Sequence, residues 1–205
     1  MLFKIQNLEY KLKNEPILKK KNFTIKKNNH FLILGPSGSG KTTLINLMAG
    51  LLKPSSGEII FENKNYSLLT EHEVDELRSK NFGVIFQKIH LIKHLNIEQN
   101  ILLAKKKDHF LNTNKLINEL ALSGKNKQMA QNLSVGESQR VAIARGIANK
   151  PKVIFADEPT SALDELNAKK VIELILRQSK KTNATLIVST HDKRIKKYFS
   201  DILEI

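Results

Sequence analysis

The sequence predicts an α/β fold with a mainly parallel sheet, a small antiparallel β subdomain and an inserted helical subdomain. Three observations carry that reading. Strand-like and helix-like segments alternate along the chain. The strand-sized apolar run Phe31–Leu34 opens through a glycine-rich turn into the helical run Thr43–Gly50. Between Gln87 and Ser134 there is no β signal, only helical patterning.

Each element follows in order. Strands are expected at 2–10 and 18–25; with 58–61 they lie near turn signals and suit a small antiparallel layer. After the strand at 31–34, a helix runs to Gly50 and is followed by the turn Lys53-Pro54-Ser55-Ser56-Gly57. Thr70-x-x-Glu73 reads as a capping box that opens another helix. A strand is expected at 82–86, helices around 97–104 and 113–122, and further strands at 153–156, 185–189 and 202–205. The expected division is a single domain over 1–205, with a core of 1–86 and 148–205 and a helical subdomain at 87–147.

Composition narrows the function classes. The 205 residues contain no apolar run near the roughly 20 residues of a membrane helix. The N-terminal segment lacks the basic-then-apolar layout of a signal peptide, so a cytoplasmic protein is expected. The absence of cysteine excludes disulfides, zinc-thiolate sites and a thiol nucleophile. A net charge of +14 raises nucleic acid or an anionic membrane surface as partners. The basic residues are scattered, however, with only small clusters at 19–21, 105–107 and 193–197, and lysine outnumbers arginine 29 to 5. That pattern, with its abundant asparagine and isoleucine, reads as an AT-rich coding bias on a solvated surface, and no nucleic acid partner is expected.

Gly35-Pro36-Ser37-Gly38-Ser39-Gly40-Lys41-Thr42 matches G-x-x-x-x-G-K-[ST] in full, after a strand and before a helix. Glycines let backbone N–H groups curl around phosphate oxygens, and the helix N-terminus adds the positive end of its dipole. Lys41 is the candidate for the β- and γ-phosphates and Thr42 for Mg²⁺, with Thr43 the next residue of the loop; the motif reads as a nucleotide site. The second signal is an apolar strand that ends in Asp157-Glu158. Asp157 is the candidate second Mg²⁺ anchor, and Glu158 stands where it can polarise a water for attack on the γ-phosphate.

Leu133-Ser134-Val135-Gly136-Glu137-Ser138-Gln139-Arg140 contains a capping box, Ser134-x-x-Glu137, before the amphipathic run Val141–Ala148. With Phe82–Gln87, Ser161–Asp164 and Val188–Asp192, these motifs resemble in order and spacing the ATP-binding subunit of ABC transporters, over essentially the whole chain. The resemblance implies two such subunits enclosing two ATPs head to tail, the second being another copy of the chain. Ser134 and Gly136 would then meet the γ-phosphate held by the partner's loop. Gln87 would meet Mg²⁺ or the attacking water, and His191 would hydrogen-bond the γ-phosphate and hold the water with Glu158. Val135 departs from the family, replacing the first glycine of the signature pair and narrowing backbone approach there.

The same resemblance implies an aromatic residue stacked on adenine; Tyr10 is the candidate and Leu12 the alternative register. The glutamate of the signature and the strand end Ala156-Asp157-Glu158-Pro159-Thr160 look like the lipoprotein-releasing and macrolide-export branch. This implies an ATPase that drives a separate integral membrane permease from the inner face of the membrane, through a docking surface at 86–101. Two other classes remain open: a soluble ABC ATPase acting on nucleic acid or ribosomes, and an ATP-driven signalling subunit that transports nothing.

Overall fold

The computed structural model describes residues 1–105, 111–161 and 163–205. Lys106, Lys107 and His109, and Ala162 of the 161–164 loop, lie outside the described residues. The chain opens with β1 (Phe3–Leu12), β2 (Glu15–Ile25) and β3 (Phe31–Leu34), then helix α1 (Lys41–Met48), β4 (Ser56–Phe61) and the two-residue β5 (Lys64–Asn65). It continues through α2 (Glu71–Asn81), β6 (Phe82–Ile85), α3 (Ile97–Leu102), α4 (Thr113–Glu119) and α5 (Val135–Ile147). It closes with β7 (Val153–Asp157), α6 (Glu165–Thr182), β8 (Thr185–Thr190) and β9 (Asp201–Glu204).

Two sheets form. The antiparallel sheet runs β2-β1-β4-β5: the three strands the sequence suggests and a fourth, with tight hairpins joining β1 to β2 and β4 to β5. Lys13 and Asn14 both take positive φ (49° and 68°), the backbone of a two-residue hairpin turn whose twist matches its strands. No glycine marks that turn, which is why β1 and β2 run two or three residues beyond their expected ends. Glu62 and Asn63 repeat the device (φ 43° and 68°) and turn β4 into β5, a strand too short to show any alternation in sequence. Pro16 sits in β2, an edge strand, where a missing N–H costs no central ladder bond.

The second sheet is parallel throughout, in the order β6-β7-β8-β3-β9. Its side chains alternate between two apolar cores. Leu32, Leu34, Ile154, Ala156, Leu186 and Val188 face Ile101, Val141, Ile147 and Ile172 of the surrounding helices. Phe31, Ile33, Val153, Phe155 and Ile187 face Leu44 and Met48 of α1 and the antiparallel sheet. The rings of Phe3, Phe61, Phe82 and Phe155 tie the two sheets together, with centroids 4.9 Å apart for Phe61–Phe82 and 5.3 Å for Phe82–Phe155.

Between Gln87 and Ser134 the described residues hold helices, turns and one isolated bridge, Asn96 with Met129. α3 and α4 stop short of their expected ends. Past Leu102 the chain tightens into an i→i+3 bond from the Ala104 N–H to the Ile101 carbonyl, and Ala121 turns to φ 55°. The capping boxes at Thr70 and Ser134 are both present. Among the described residues no helix is long and apolar enough to cross a membrane.

Helix α5 is set against the sheet by direct backbone contact. A Cβ on Gly83 would lie 1.8 Å from the Gly146 carbonyl oxygen, so β6 and α5 approach this closely only because Gly83 lacks a side chain. Gly83→Ala should cost about 1–3 kcal/mol or more and lower the thermal midpoint by several degrees. Gly136→Ala, whose Cβ would meet only the tip of Arg140 at 3.5 Å, should leave the midpoint unchanged or raised. Calorimetry on both variants checks the contrast.

Candidate active site

The C-terminal ends of three neighbouring strands lie side by side. Leu34 pairs with Thr190 and Ser189 with Asp157, so Gly35, His191 and Glu158 leave the sheet at one edge. In open α/β sheets this is the edge at which ligands bind. The loop 35–40 runs from β3 into α1. Gly40 has φ 92°, and a Cβ there would come within 2.9 Å of the Ile17 carbonyl, so the loop lies against the start of β2. Pro36, Ser37 and Gly38 are exposed, and the Ser39 hydroxyl is buried without a hydrogen-bond partner, as a loop built to take phosphate oxygens would leave it.

Lys41 is the first residue of α1 and only 4% exposed. Its Nζ donates to the carbonyls of Gly35 (2.9 Å) and Pro36 (2.7 Å) and stands 3.4 Å from the Glu158 carboxylate. Both oxygens of Asp157 are engaged: Thr42 Oγ1 donates to Oδ2 at 2.9 Å and Ser189 Oγ to Oδ1 at 2.5 Å. A hydroxyl beside a carboxylate is an oxygen donor pair suited to a hard cation such as Mg²⁺. Among the described residues no three His, Cys, Asp or Glu side chains are grouped to hold a metal, so an ion at Thr42 and Asp157 would draw its other ligands from phosphate, water or an uncharged side chain.

Glu158 has φ 47°, an uncommon backbone for a residue other than glycine. It is held there from several sides: its N–H donates to the Ser189 carbonyl (2.8 Å), and Thr190 Oγ1 donates to Oε2 (2.9 Å). His191 Nδ1 lies 3.0 Å from the same carboxylate, with the imidazole half exposed. Such strain collects at functional sites because only a well-determined surrounding retains it. Next to His191, Asp192 is buried, accepts from Thr160 Oγ1 (3.1 Å) and pairs with Arg194, whose guanidinium is the main reason its carboxyl is held below the usual carboxylate range.

The other expected residues lie further out. Ser134 caps α5 and is exposed, as is Val135 (68%), the first helical residue, with Gly136 second; a β-branched residue fits that position. Neither Ser134 nor Gly136 hydrogen-bonds to the phosphate loop, Asp157 or Glu158. Helix α5 reaches the site instead through Gln139, whose Nε2 donates to the Pro159 carbonyl at 2.5 Å. Gln87 is exposed two residues past β6, on a loop held to α5 by Arg145, which donates to the carbonyls of Ile89 (3.0 Å) and His90 (2.8 Å). Tyr10 is half-buried on β1 opposite Leu18, and Leu18 lies beside Gly40; Leu12 is exposed. Sequence reasoning missed Ser189, Thr190, Thr160, Asp192 and Arg194. The available signal was a strand, Thr185–Thr190, that ends in two hydroxyl residues beside the carboxylate-tipped strand β7.

A family model described as ABC transporter matches residues 18–161. The chain belongs to the ABC transporter family. It is an ATPase of that family and the ATP-binding subunit of such a transporter. It is 38% identical over 197 residues to the ATP-binding protein HrtA of Staphylococcus haemolyticus, covering 92% of this chain and 88% of that one. It is 36% identical over 193 residues to the lipoprotein-releasing system ATP-binding protein LolD of Legionella pneumophila, covering 91% and 85%. The dimeric post-hydrolysis structure of the ATP-binding cassette MJ0796, bound to ADP and Pi, matches with a TM-score of 0.88 at 31% identity, covering 100% of this chain and 94% of that one.

The start of α5 carries a pH dependence. Lys125 first, then the Ser134 N–H and hydroxyl, hold the Glu137 carboxyl down to about 2. A depressed carboxyl contributes stability above its ordinary pKa of about 4.3 and loses it as pH falls through the folded value. The difference in thermal midpoint between wild type and Glu137→Gln should therefore be full near neutrality and shrink as pH falls from about 4 to 2.

Proposed function

We propose that this subunit hydrolyses ATP at the edge formed by the ends of β3, β7 and β8, as one half of a head-to-tail dimer that drives a separate membrane permease. The observation that carries the reading is the convergence of Lys41 and Glu158 at 3.4 Å beside the Thr42–Asp157 pair. Residues 35–43 cradle the phosphates with backbone N–H groups, and Lys41 leaves the loop carbonyls for phosphate oxygens. Thr42 and Asp157 would hold Mg²⁺, with Gln87 as a further ligand; when bound, the ion neutralises charge on the phosphate oxygens. Glu158 takes the proton of the attacking water on its carboxylate, while His191, oriented by that carboxylate, donates a hydrogen bond to the γ-phosphate. Tyr10, alongside Leu18 and the loop, is the proposed platform for adenine.

The exposed start of α5 supports the dimer. Ser134, Val135 and Gly136 have no partner on the phosphate loop of their own chain, which leaves Ser134 and Gly136 free to meet a second copy's γ-phosphate. In this reading residues 87–147 form a helical subdomain on a core of 1–86 and 148–205, and the permease docks at 86–101, where Phe86 is exposed and stacks edge-on with His90 at 5.9 Å. The subunit then works peripherally on the cytoplasmic face of the membrane. LolD's name supports a releasing or export role, as does that of the macrolide export ATP-binding/permease protein MacB of Mannheimia succiniciproducens, 37% identical over 195 residues. HrtA of Staphylococcus haemolyticus is named for hemin import instead, so direction rests on the export-type relatives and the signature glutamate.

Glu158→Gln should retain ATP binding, lose at least about a hundredfold in hydrolysis and accumulate as a dimer with ATP. Lys41→Ala should lose ATP binding itself. Nucleotide titration, steady-state hydrolysis and light scattering measure the three. Hydrolysis by Glu158→Gln at the wild-type rate would overturn the assignment of the base.

A further inference from the structure

We infer that Arg194 is a positioning residue for hydrolysis, clamping the turn after Glu158 to the loop that carries His191. The inference rests on Glu158 being the base. A general base in an uncommon backbone conformation needs restraint on both sides. On the strand side, the Glu158 N–H is fixed to the Ser189 carbonyl. On the far side, the Ser161 N–H (3.4 Å) and hydroxyl (3.1 Å) both donate to the Glu158 carbonyl, and the Leu163 N–H donates to the Thr160 carbonyl (3.1 Å). The start of that turn is buried and is held by Gln139 at Pro159 and by Asp192 at Thr160; its end at Leu163 is half-buried and needs an anchor of its own.

Arg194 supplies the anchor with a single planar group. Its Nε and Nη2 donate to the two oxygens of Asp192 at 2.8 and 2.7 Å, and Nη2 also donates to the Leu163 carbonyl at 3.3 Å. Asp192 in turn accepts from Thr160 Oγ1 and donates its N–H to Thr190 Oγ1 (3.0 Å), and Thr190 Oγ1 donates to Glu158 Oε2. The chain of bonds is closed: Glu158, Thr190, Asp192, Arg194, Leu163, Thr160 and back through the turn to Glu158. His191 lies inside it, bonded to Glu158 and flanked by Thr190 and Asp192. A forked guanidinium engages a carboxylate with two parallel bonds and keeps an N–H for a third acceptor, which an ammonium cannot reproduce in the same plane. The Arg194 side chain is 43% exposed, so its removal opens no core cavity.

The test compares Arg194→Ala, Arg194→Gln and Arg194→Lys in the full chain, with Asp192→Asn and the double variant. Measured quantities are kcat, KM, the thermal midpoint, and ATP affinity on the Glu158→Gln background. Expected for Arg194→Ala is a loss in kcat of about tenfold to hundredfold, with KM and ATP affinity near wild type and a lowered midpoint, because the buried Asp192 carboxylate loses its ion-pair partner. Arg194→Lys should recover only part of kcat. Adding Arg194→Ala to Asp192→Asn should cost little more than the worse single change, because both open one network.

Wild-type kcat in Arg194→Ala, alongside an inactive Glu158→Gln, would overturn the inference and leave the base assignment standing. A loss of ATP affinity or a rise in KM in step with the loss of kcat would overturn it as well, since that is a structural role. Should Arg194→Ala not fold, Arg194→Lys decides: full kcat overturns the fork, and partial kcat at an unchanged midpoint supports it. Wild-type hydrolysis in Glu158→Gln would instead remove the reading beneath, whatever Arg194 does.

Discussion

Parallel pairing of β7, β8 and β3 in one register brings together groups more than a hundred residues apart in sequence. Asp157 opposite Ser189 and Leu34 opposite Thr190 fix where each strand stops, so the phosphate loop, the two carboxylates and the histidine are all at one edge. A parallel strand cannot return through a tight turn, so each crossover must carry the chain across the sheet and back to the same end. The helices of those crossovers close one apolar face, and α1 with the antiparallel sheet closes the other. Asp157 and Ser189 sit in the ladder itself, and the N–H groups of Gly35 and Glu158 continue it one residue further, to Thr190 and Ser189.

Burying charge there imposes the next constraint. Lys41, Asp157, Glu158 and Asp192 are all 8% exposed or less, and an ion taken out of water is tolerated only when paired and hydrogen-bonded. Each has its partners: loop carbonyls and Glu158 for Lys41, two hydroxyls for Asp157, a threonine and a histidine for Glu158, a guanidinium and a threonine for Asp192. The hydroxyls of Thr42, Ser189, Thr190 and Thr160 are therefore as much part of the electrostatics as the charged groups. They give each carboxylate at this crowded strand edge hydrogen-bond partners of its own.

Residues outside that edge share a different property, which is exposure. Ser134 and Val135 sit on the open first turn of α5, and Gln87 on the loop tethered by Arg145. Both segments are linked mechanically to the buried site, α5 through Gln139 at Pro159 and the Gln87 loop through α5. In the proposed dimer, this exposed set, joined to the buried one, would be completed by a second molecule. In the same proposal it would offer a route by which the state of the nucleotide reaches the surface at 86–101.

The sequence by itself determined most of this protein. Local signals placed the phosphate loop, the acidic tip of β7, both capping boxes and most strand positions, because each depends on residues within a few positions of one another. Hairpin turns at Lys13–Asn14 and Glu62–Asn63 were not legible, since their left-handed residues are not glycines. Tertiary structure alone decided which strands are neighbours, and therefore which hydroxyls meet which carboxylates. Ser189 meets Asp157 and Thr190 meets Glu158 across a sheet ladder, at a sequence distance no motif spans. Arg194 reaches Leu163 through folded space in the same way. Long-range polar pairing of that kind is set by register and burial, and neither is written in the local sequence.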